Sequence, residues 1–336
     1  MDDLGKDPVS RIILKAKDTI MKHRMLPNGS CVYAGVSGGM DSMCMLSVLM
    51  ALSAELGFSL KVCHFNHLLR DKESDDDEIF VEDFCRENGL EFINDKGNVS
   101  EFSETNGRGV EESARIMRYA FLNRVADAAD SRIAVAHHMT DQFETVLFNL
   151  LRGSGTAGMA GMKYVSGKII RPLLDCSRED IEKYAENSGL DYRTDSTNLK
   201  ALCDRNKIRL NILPVFRENF GRNVIESTIR TSQLCRQDDD YISSLAFKLY
   251  NELRDQNGIP RESVTDAHPA ISSRLIRIEY ERARGDLKDL SFKHVQIIIR
   301  YLESSAGRGT LDLPGGLTAV LFKGRFSITR KGESRS

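Results

Sequence analysis

Apolar and polar positions follow two kinds of pattern along the first part of the chain. Short β-branched or aromatic runs predict strands, and stretches with apolar residues three and four positions apart predict helices. The predicted strands are residues 31–36, 59–65, 90–94, 132–136 and 167–171, and the helices are 8–25, 43–56, 73–88, 109–130 and 140–151. Strands that alternate with helices predict parallel βαβ units in a doubly wound sheet.

The pattern changes beyond residue 220. Helices are predicted at 223–257, 272–284 and 291–304, and two apolar runs at 318–322 and 325–329 predict a hairpin around Lys323-Gly324. We therefore predict an α/β fold in residues 1–220, with a mainly parallel five-stranded sheet and helices on both faces. Residues 221–336 are predicted to form a smaller, mostly helical domain that ends in a β-hairpin.

Composition restricts the class of protein. The 336 residues carry a formal net charge of −2 and are 41% hydrophobic, which is ordinary for a water-soluble chain of two domains. No apolar run reaches the ~18 residues of a membrane span, and the acidic N-terminus does not resemble a signal peptide. The seven cysteines are scattered without a Cys-x-x-Cys pair, which predicts a cytoplasmic protein with reduced thiols.

The segment Ser37-Gly38-Gly39-Met40-Asp41-Ser42 connects the first predicted strand to a helix. Glycines at such a junction let backbone N–H groups surround an oxyanion, and the helix N-terminus adds positive potential. The lysine that follows the glycines in the common P-loop is missing. The segment therefore predicts a phosphate site of another kind.

Polar side chains also follow the other predicted strands, at the edge where an open α/β sheet binds ligands. They include His64, Asn66 and Arg70 after the second strand, and His137, Asp141 and Glu144 after the fourth. Four histidines (64, 67, 137 and 138) with Asp141 leave zinc as an alternative, although no zinc spacing is complete. The Gly-x-Gly-x-x-Gly at 153–158 follows a helix and not a strand, which favours a flexible loop.

Two levels of resemblance follow from these motifs. The order Ser-Gly-Gly-x-Asp-Ser is similar to the pyrophosphate loop of the adenine nucleotide α-hydrolase superfamily. A longer series resembles the tRNA(Ile)-lysidine synthetase family over roughly residues 10 to 215, namely segments 64–70, 111–119, 136–145, 152–155, 171–174, 195–198 and 205–209. At Leu68 the sequence departs from this pattern, because a glycine is expected there.

The resemblance implies a two-step reaction on the wobble cytidine of a CAU anticodon in tRNA(Ile). ATP adenylates the oxygen at carbon 2 of the base, and the ε-amine of free lysine then displaces AMP to give lysidine. The implied cofactors are ATP and Mg²⁺, and the implied partners are tRNA(Ile) and L-lysine, with a homodimer left open. The chain resembles compact members that lack a further C-terminal domain.

Roles are carried over residue by residue. The resemblance implies nucleotide contacts from Ser37, Gly38, Gly39, Met40, Asp41, Ser42, His64 and Asn66, with Asp41 also binding Mg²⁺. It implies catalytic roles for Asp41, Arg115, His137, Asp141 and Arg205. His137 is expected to contact the base or to accept a proton from the lysine amine. Contacts with the substrate or the tRNA are implied for Arg70, Glu111, Arg118, Glu144, Arg205, Lys207 and Arg209, without identifying which residues bind lysine.

A basic stretch supports an RNA partner. Residues 200–236 contain eight basic and three acidic side chains, which is the charge pattern of a phosphate-backbone contact, or of a solvated helical face. Two other functions stay open. A tRNA cytidine thiolase would share the adenylation step but usually needs paired cysteines. A non-catalytic adenine-nucleotide sensor would need neither the His137–Glu144 segment nor the basic stretch.

Overall fold

The computed structural model describes residues 7–69, 72–194, 207–221, 223–304 and 308–332. It divides into two compact units, which meet in sequence between Gln233 and Leu234. The sequence placed the domain boundary near residue 220. In the structure the division falls within the long helix Val224–Leu253.

The first unit alternates strands and helices. Its strands are β1 (Cys31–Gly35), β2 (Ser59–Asn66), β3 (Glu91–Lys96), β4 (Arg132–Ala134), β5 (Val165–Ser166) and β6 (Ile169–Ile170). Its helices are α1 (Pro8–Lys22), α2 (Met40–Leu56), α3 (Lys72–Glu87), α4 (Val99–Asn106), α5 (Val110–Val125), α6 (Met139–Leu151), α7 (Thr156–Met159) and α8 (Arg178–Ser188). A π-helical turn, Ile208–Ile212, leads into the helix Leu213–Phe220, and Val224–Leu253 follows.

The strands form one sheet in the order β3-β2-β1-β4-β6-β5. All pairs are parallel except β5 with β6, so the doubly wound α/β prediction is confirmed. The predicted count of five strands is wrong, because Val165–Ser166 adds a sixth. A two-residue strand is too short to show the alternation by which strands are recognised in a sequence.

Helices cover both faces of the sheet. On one face, α1, α2 and α8 bury Ile12, Leu46 and Ile181 in the largest apolar core. On the other face, α5 buries Phe121 and Leu122 against β2 and β4. Because β1 has β2 on one side and β4 on the other, the chain changes direction across the sheet beside β1. A crevice therefore opens at the carboxyl ends of these strands.

The second unit packs helices against an antiparallel sheet. Its helices include Glu262–Thr265, Pro269–Arg284 and Phe292–Ser304. The sheet has the order β7-β10-β9-β8, where β7 is Ile259–Pro260, β8 is Arg308–Leu313, β9 is Leu317–Phe322 and β10 is Arg325–Arg330. The predicted hairpin is present as β9 and β10, but it belongs to a four-stranded sheet. The sequence did not indicate β8, because its alternate positions are only half-buried.

No helix in the described part of the chain is both long and apolar enough to cross a membrane.

Candidate active site

The loop between β1 and α2 is held by its own serines. The hydroxyl of Ser42 accepts the N–H of Ser37 at 3.1 Å and donates to the carbonyl of Gly39 at 2.8 Å. Gly38 has a φ of +86°, in the left-handed region that favours glycine. Gly39 is the N-cap of α2, so the helix begins at Met40 and not at the predicted residue 43. The loop therefore brings a helix N-terminus to the end of β1.

The loop opens onto a cleft of about 1430 Å³, which has room for a nucleotide together with a second reactant. Many residues predicted for the site line this cleft, namely Ser37, Gly39, Met40, Asp41, Ser42, His64, Asn66, Arg118, His137, Asp141 and Arg209. Five other described candidates do not line it, namely Gly38, Glu111, Arg115, Glu144 and Lys207. Arg70 and Arg205 lie outside the described residues.

His137 follows β4 and is held as a neutral imidazole. Burial lowers its pKa to about 3, and the nearby charges of Arg171, Arg118 and Arg115 act in the same direction, against Asp141. Nε of Arg171 donates to Nδ1 of His137 at 3.2 Å. Because a neutral imidazole carries one proton, this bond assigns the proton to Nε2. His137 therefore offers a hydrogen-bond donor at Nε2 and has no free lone pair to accept a proton.

His138, next in sequence, has a different function: it is the N-cap of α6. Its Nδ1 accepts the N–H of Thr140 at 3.2 Å, and its own N–H donates to Asp141 at 2.9 Å. Nε2 of His138 then lies 3.5 Å from Asp141 and 3.8 Å from Asp41. The buried imidazole of His138 thus lies between Asp41 and Asp141.

Asp141 and Glu144 share one cation. Arg209, in the π-helical turn, donates to both oxygens of Glu144 at 2.7 and 3.2 Å and to Asp141 at 2.9 Å. Burial raises the pKa of Glu144 in spite of this pairing. Burial also opposes ionisation of Asp141, but His138, His137 and Arg209 together bring its pKa below the usual value. Of the two carboxylates, Asp141 is the one that lines the cleft.

Arg115 and Arg118 on α5 have different surroundings. Arg118 lines the cleft, and its Nε is buried without a hydrogen-bond partner among the described residues. Burial lowers the pKa of Arg118, and the charge of Arg115 adds to this effect. Both guanidinium groups lie over the ring of Tyr119, at 4.9 Å for Arg115 and 5.7 Å for Arg118, but Arg115 does not line the cleft. Arg118 is therefore the member of the pair placed to meet an anion in the cleft.

His64 and Asn66 position the backbone at the end of β2. Nδ1 of His64 lies 3.0 Å from the carbonyl of Val36, and burial lowers the pKa of His64. The amide of Asn66 donates to Glu78 at 2.9 Å and accepts the N–H of Leu68 at 3.1 Å. Leu68 has a φ of +51°, so it adopts the left-handed conformation of the glycine that the resemblance led us to expect.

Sequence reasoning missed two arginines of the cleft. Nη1 of Arg178 donates to Asp41 at 2.5 Å, and the backbone N–H of Arg193 donates to the carbonyl of Gly38 at 2.9 Å. The only sequence signal near Arg178 is Ser177 with Asp180, which predicts a helix start and no ligand. Only the fold brings Arg178 to the loop, from 137 positions along the chain.

The zinc alternative gains no support. Within the described ranges, no three or more His, Cys, Asp or Glu side chains are grouped so as to hold a metal ion. His64 and His138 instead make hydrogen bonds to the backbone.

The fold and the loop define the class of protein. A family model for the PP-loop domain matches residues 10–216, so the first unit is a PP-loop domain. The tRNA(Ile)-lysidine synthase of Caldanaerobacter subterraneus subsp. tengcongensis is 34% identical over 325 residues, which are 95% of this chain and 69% of that protein. That of Clostridioides difficile is 34% identical over 324 residues, 94% of this chain and 70% of its own. The chain belongs to the tRNA(Ile)-lysidine synthase family.

A solved structure agrees with the fold alone. The U34-tRNA thiolase NcsA from Methanococcus maripaludis matches 69% of this chain and 80% of its own, with a TM-score of 0.56 and 20% identity.

Proposed function

We propose that this protein joins free L-lysine to carbon 2 of the wobble cytidine of tRNA(Ile) with a CAU anticodon, at the expense of ATP. The base oxygen attacks the α-phosphate, which gives an adenylated tRNA and releases pyrophosphate. The lysine ε-amine then attacks carbon 2, and AMP leaves with the former base oxygen. The products are lysidine, AMP and pyrophosphate.

The loop is the proposed site of the β- and γ-phosphates. Gly38, Gly39 and the start of α2 bring backbone N–H groups and a positive helix end to one place. The donor set of Asp41 fits Mg²⁺, because its Oδ2 accepts no hydrogen bond from any residue that the structure describes. Bound there with phosphate oxygens, Mg²⁺ would offset the charge that develops on the leaving pyrophosphate.

His137 and Arg118 are proposed to act on the reacting base and α-phosphate. Since Nδ1 of His137 is occupied by Arg171, its Nε2–H can donate to the cytidine oxygen or to a phosphate oxygen. The buried Nε–H of Arg118 offers charge to the same region. These contacts favour a hydrogen-bond donor at position 137. The alternative, that His137 accepts the lysine proton, would require Arg171 to move.

The carboxylates are proposed to divide their tasks. Asp141 faces the cleft and is ionised, so it can attract the ammonium groups of lysine. Glu144 does not line the cleft, and Arg209 occupies both of its oxygens. We therefore assign Glu144 the role of positioning Arg209 and α6. This replaces the direct substrate contact expected for Glu144 from the resemblance.

The RNA contact is proposed for the basic stretch that follows the catalytic segments. Lys207 is exposed, and Arg217 lines the cleft. Arg222, which completes the set, lies outside the described residues. Cations beside the cleft would hold the anticodon stem by its phosphates while the wobble base enters.

The thiolase alternative needs reactive cysteines at the site. Among the described cysteines, Cys63 lines the cleft, and burial raises its pKa to about 12. A thiol with that pKa stays protonated and is a poor nucleophile. The sensor alternative gives no role to a neutral His137 or a buried Arg118 beside the phosphate loop.

The observation that carries the proposal is that one cleft joins the phosphate loop to His137, Arg118 and Asp141. Its test is nucleoside mass analysis of tRNA(Ile) after incubation with ATP, Mg²⁺ and lysine. We expect lysidine to form only when lysine is present and without any sulphur donor, and AMP and pyrophosphate to accumulate instead of ADP. Thiocytidine, or ATP consumption that ignores both lysine and tRNA, would contradict the proposal.

A further inference from the structure

Arg178 connects two carboxylates at the edge of the cleft. It is the first residue of α8, and it donates through Nη1 to Asp41 at 2.5 Å and through Nε to Glu182 at 2.9 Å. Arg178, Asp41 and Glu182 all line the cleft. The hydroxyls of Ser47 on α2 and Tyr184 on α8 lie 2.8 Å apart, so the two helices are tied together below this contact. The guanidinium is thus held beside the N-terminus of α2.

The contact of Arg178 with Oδ1 of Asp41 competes electrostatically with a cation at Oδ2 of the same carboxylate. Asp41 is in the first turn of α2, directly after the loop that we propose holds the phosphates. Mg²⁺ on Asp41 would repel the guanidinium, and the incoming phosphates would attract it. A guanidinium presents several donors in one plane, which suits two phosphate oxygens at once. Glu182 can keep Nε while the Nη groups change partner.

We infer that Arg178 is a pyrophosphate-binding residue, whose contact with Asp41 is exchanged for oxygens of the β- and γ-phosphates when Mg²⁺ and ATP bind. This inference rests on the proposed function in one respect, the assignment of the loop to these phosphates. Glu182 is a positioning residue, because it acts only through Nε of Arg178. The same guanidinium then stays with pyrophosphate after AMP has been transferred to the base.

The role has a specific consequence for binding. Arg178 contributes to the affinity for ligands that contain the β- and γ-phosphates, and not to the affinity for AMP. Charge-assisted hydrogen bonds of this kind change a dissociation constant by roughly tenfold to a hundredfold. Lysine at position 178 keeps the charge but loses the planar fork, so it restores part of the affinity.

The first test is calorimetric titration of the full chain with magnesium pyrophosphate and, separately, with AMP. Arg178→Gln should weaken pyrophosphate binding about tenfold or more and change AMP binding by less than about twofold. Arg178→Lys should fall between it and the wild type, and Glu182→Gln should give a smaller loss. The matched control is Arg124→Gln, which breaks an arginine–aspartate pair with Asp95 away from the cleft and should change neither affinity.

The second test uses pyrophosphate in the presence of EDTA. Asp41→Asn should tighten metal-free pyrophosphate binding, because it removes the competing carboxylate, and the gain should disappear in the double variant with Arg178→Gln. Unchanged pyrophosphate affinity in the Arg178 variants, or an equal loss for AMP, would overturn the inference. Neither titration contains tRNA or lysine, so a failed lysidine assay would contradict the function without affecting this result.

Discussion

Arg209 offers the most quantitative test of how the site is built. Replacing it with methionine keeps most of the side-chain volume but leaves Glu144 buried without its bidentate partner. Loss of one partner from a fully enclosed ion pair costs about 3–5 kcal/mol. Because 38% of the Arg209 side chain is exposed, water can replace part of the contact. We therefore expect the free energy of unfolding to fall by about 2–3 kcal/mol at neutral pH.

The cost should depend on pH in a known direction. Burial already raises the pKa of Glu144, and Arg209 opposes that rise. Without Arg209 the folded-state pKa rises further, so the folded protein holds the proton more tightly than the unfolded chain does. Stability then falls as pH increases from the unfolded pKa of about 4.3 through the raised folded pKa. The penalty for Arg209→Met should be small near pH 4 and largest above the folded pKa.

Urea unfolding at several pH values measures this penalty, and hydrogen exchange of the α6 amides localises it. The control is Arg217→Met, since Arg217 only approaches the exposed Glu179 at 3.4 Å. The control should change the free energy of unfolding by less than about 0.5 kcal/mol, without a pH trend. Equal effects of the two variants, or a penalty for Arg209→Met that is the same at pH 4 and pH 8, would refute the reasoning.

Three further predictions concern the cleft. Asp41→Asn should leave the fold intact, because a half-exposed carboxylate contributes little to stability. It should abolish pyrophosphate release, because the carboxylate is proposed to hold the metal. A folded variant with near-normal turnover would remove Asp41 from the mechanism. His137 should remain neutral down to about pH 4 in ¹⁵N NMR titrations, because its pKa is lowered to about 3, and titration near pH 6.5 would contradict its assignment as an Nε2–H donor. Neutralising Lys207, Arg217 and Arg222 together should weaken tRNA binding and flatten its salt dependence, while ATP binding changes little. An unaltered salt slope would indicate that residues 200–236 form a solvated surface that does not contact the tRNA.

The sequence predicted best the strands and helices whose side chains are buried on one face or on all sides. Strand β1 and helix α2 are recognised from continuous apolar residues, because their side chains are buried in the main core. The short strand β5 and the half-buried strand β8 were missed, since their positions in the sheets depend on pairing partners and not on their own residues.

Prediction of the site residues was limited in the same way, by contacts that only the folded structure creates. Ser37, Asp41, His137 and Asp141 were predicted because each follows a strand whose end must face the crevice. Arg178 was not predicted, because it begins a helix and reaches Asp41 only through the packing of α8 on α2. The tautomer of His137 was also beyond the sequence. The tautomer depends on Arg171, which follows a different strand and whose Nε donates a hydrogen bond to Nδ1 of His137.

The central claim is that the base oxygen is adenylated in this cleft before lysine attacks. It is tested most directly with tRNA(Ile) in which the wobble cytidine carries ¹⁸O at carbon 2. We expect the AMP released with lysidine to contain the label, because that oxygen becomes a phosphate oxygen and leaves with AMP. In a parallel reaction with carboxylate-labelled lysine the AMP should be unlabelled. Unlabelled AMP from the labelled tRNA, or label that reaches AMP from lysine, would contradict the account.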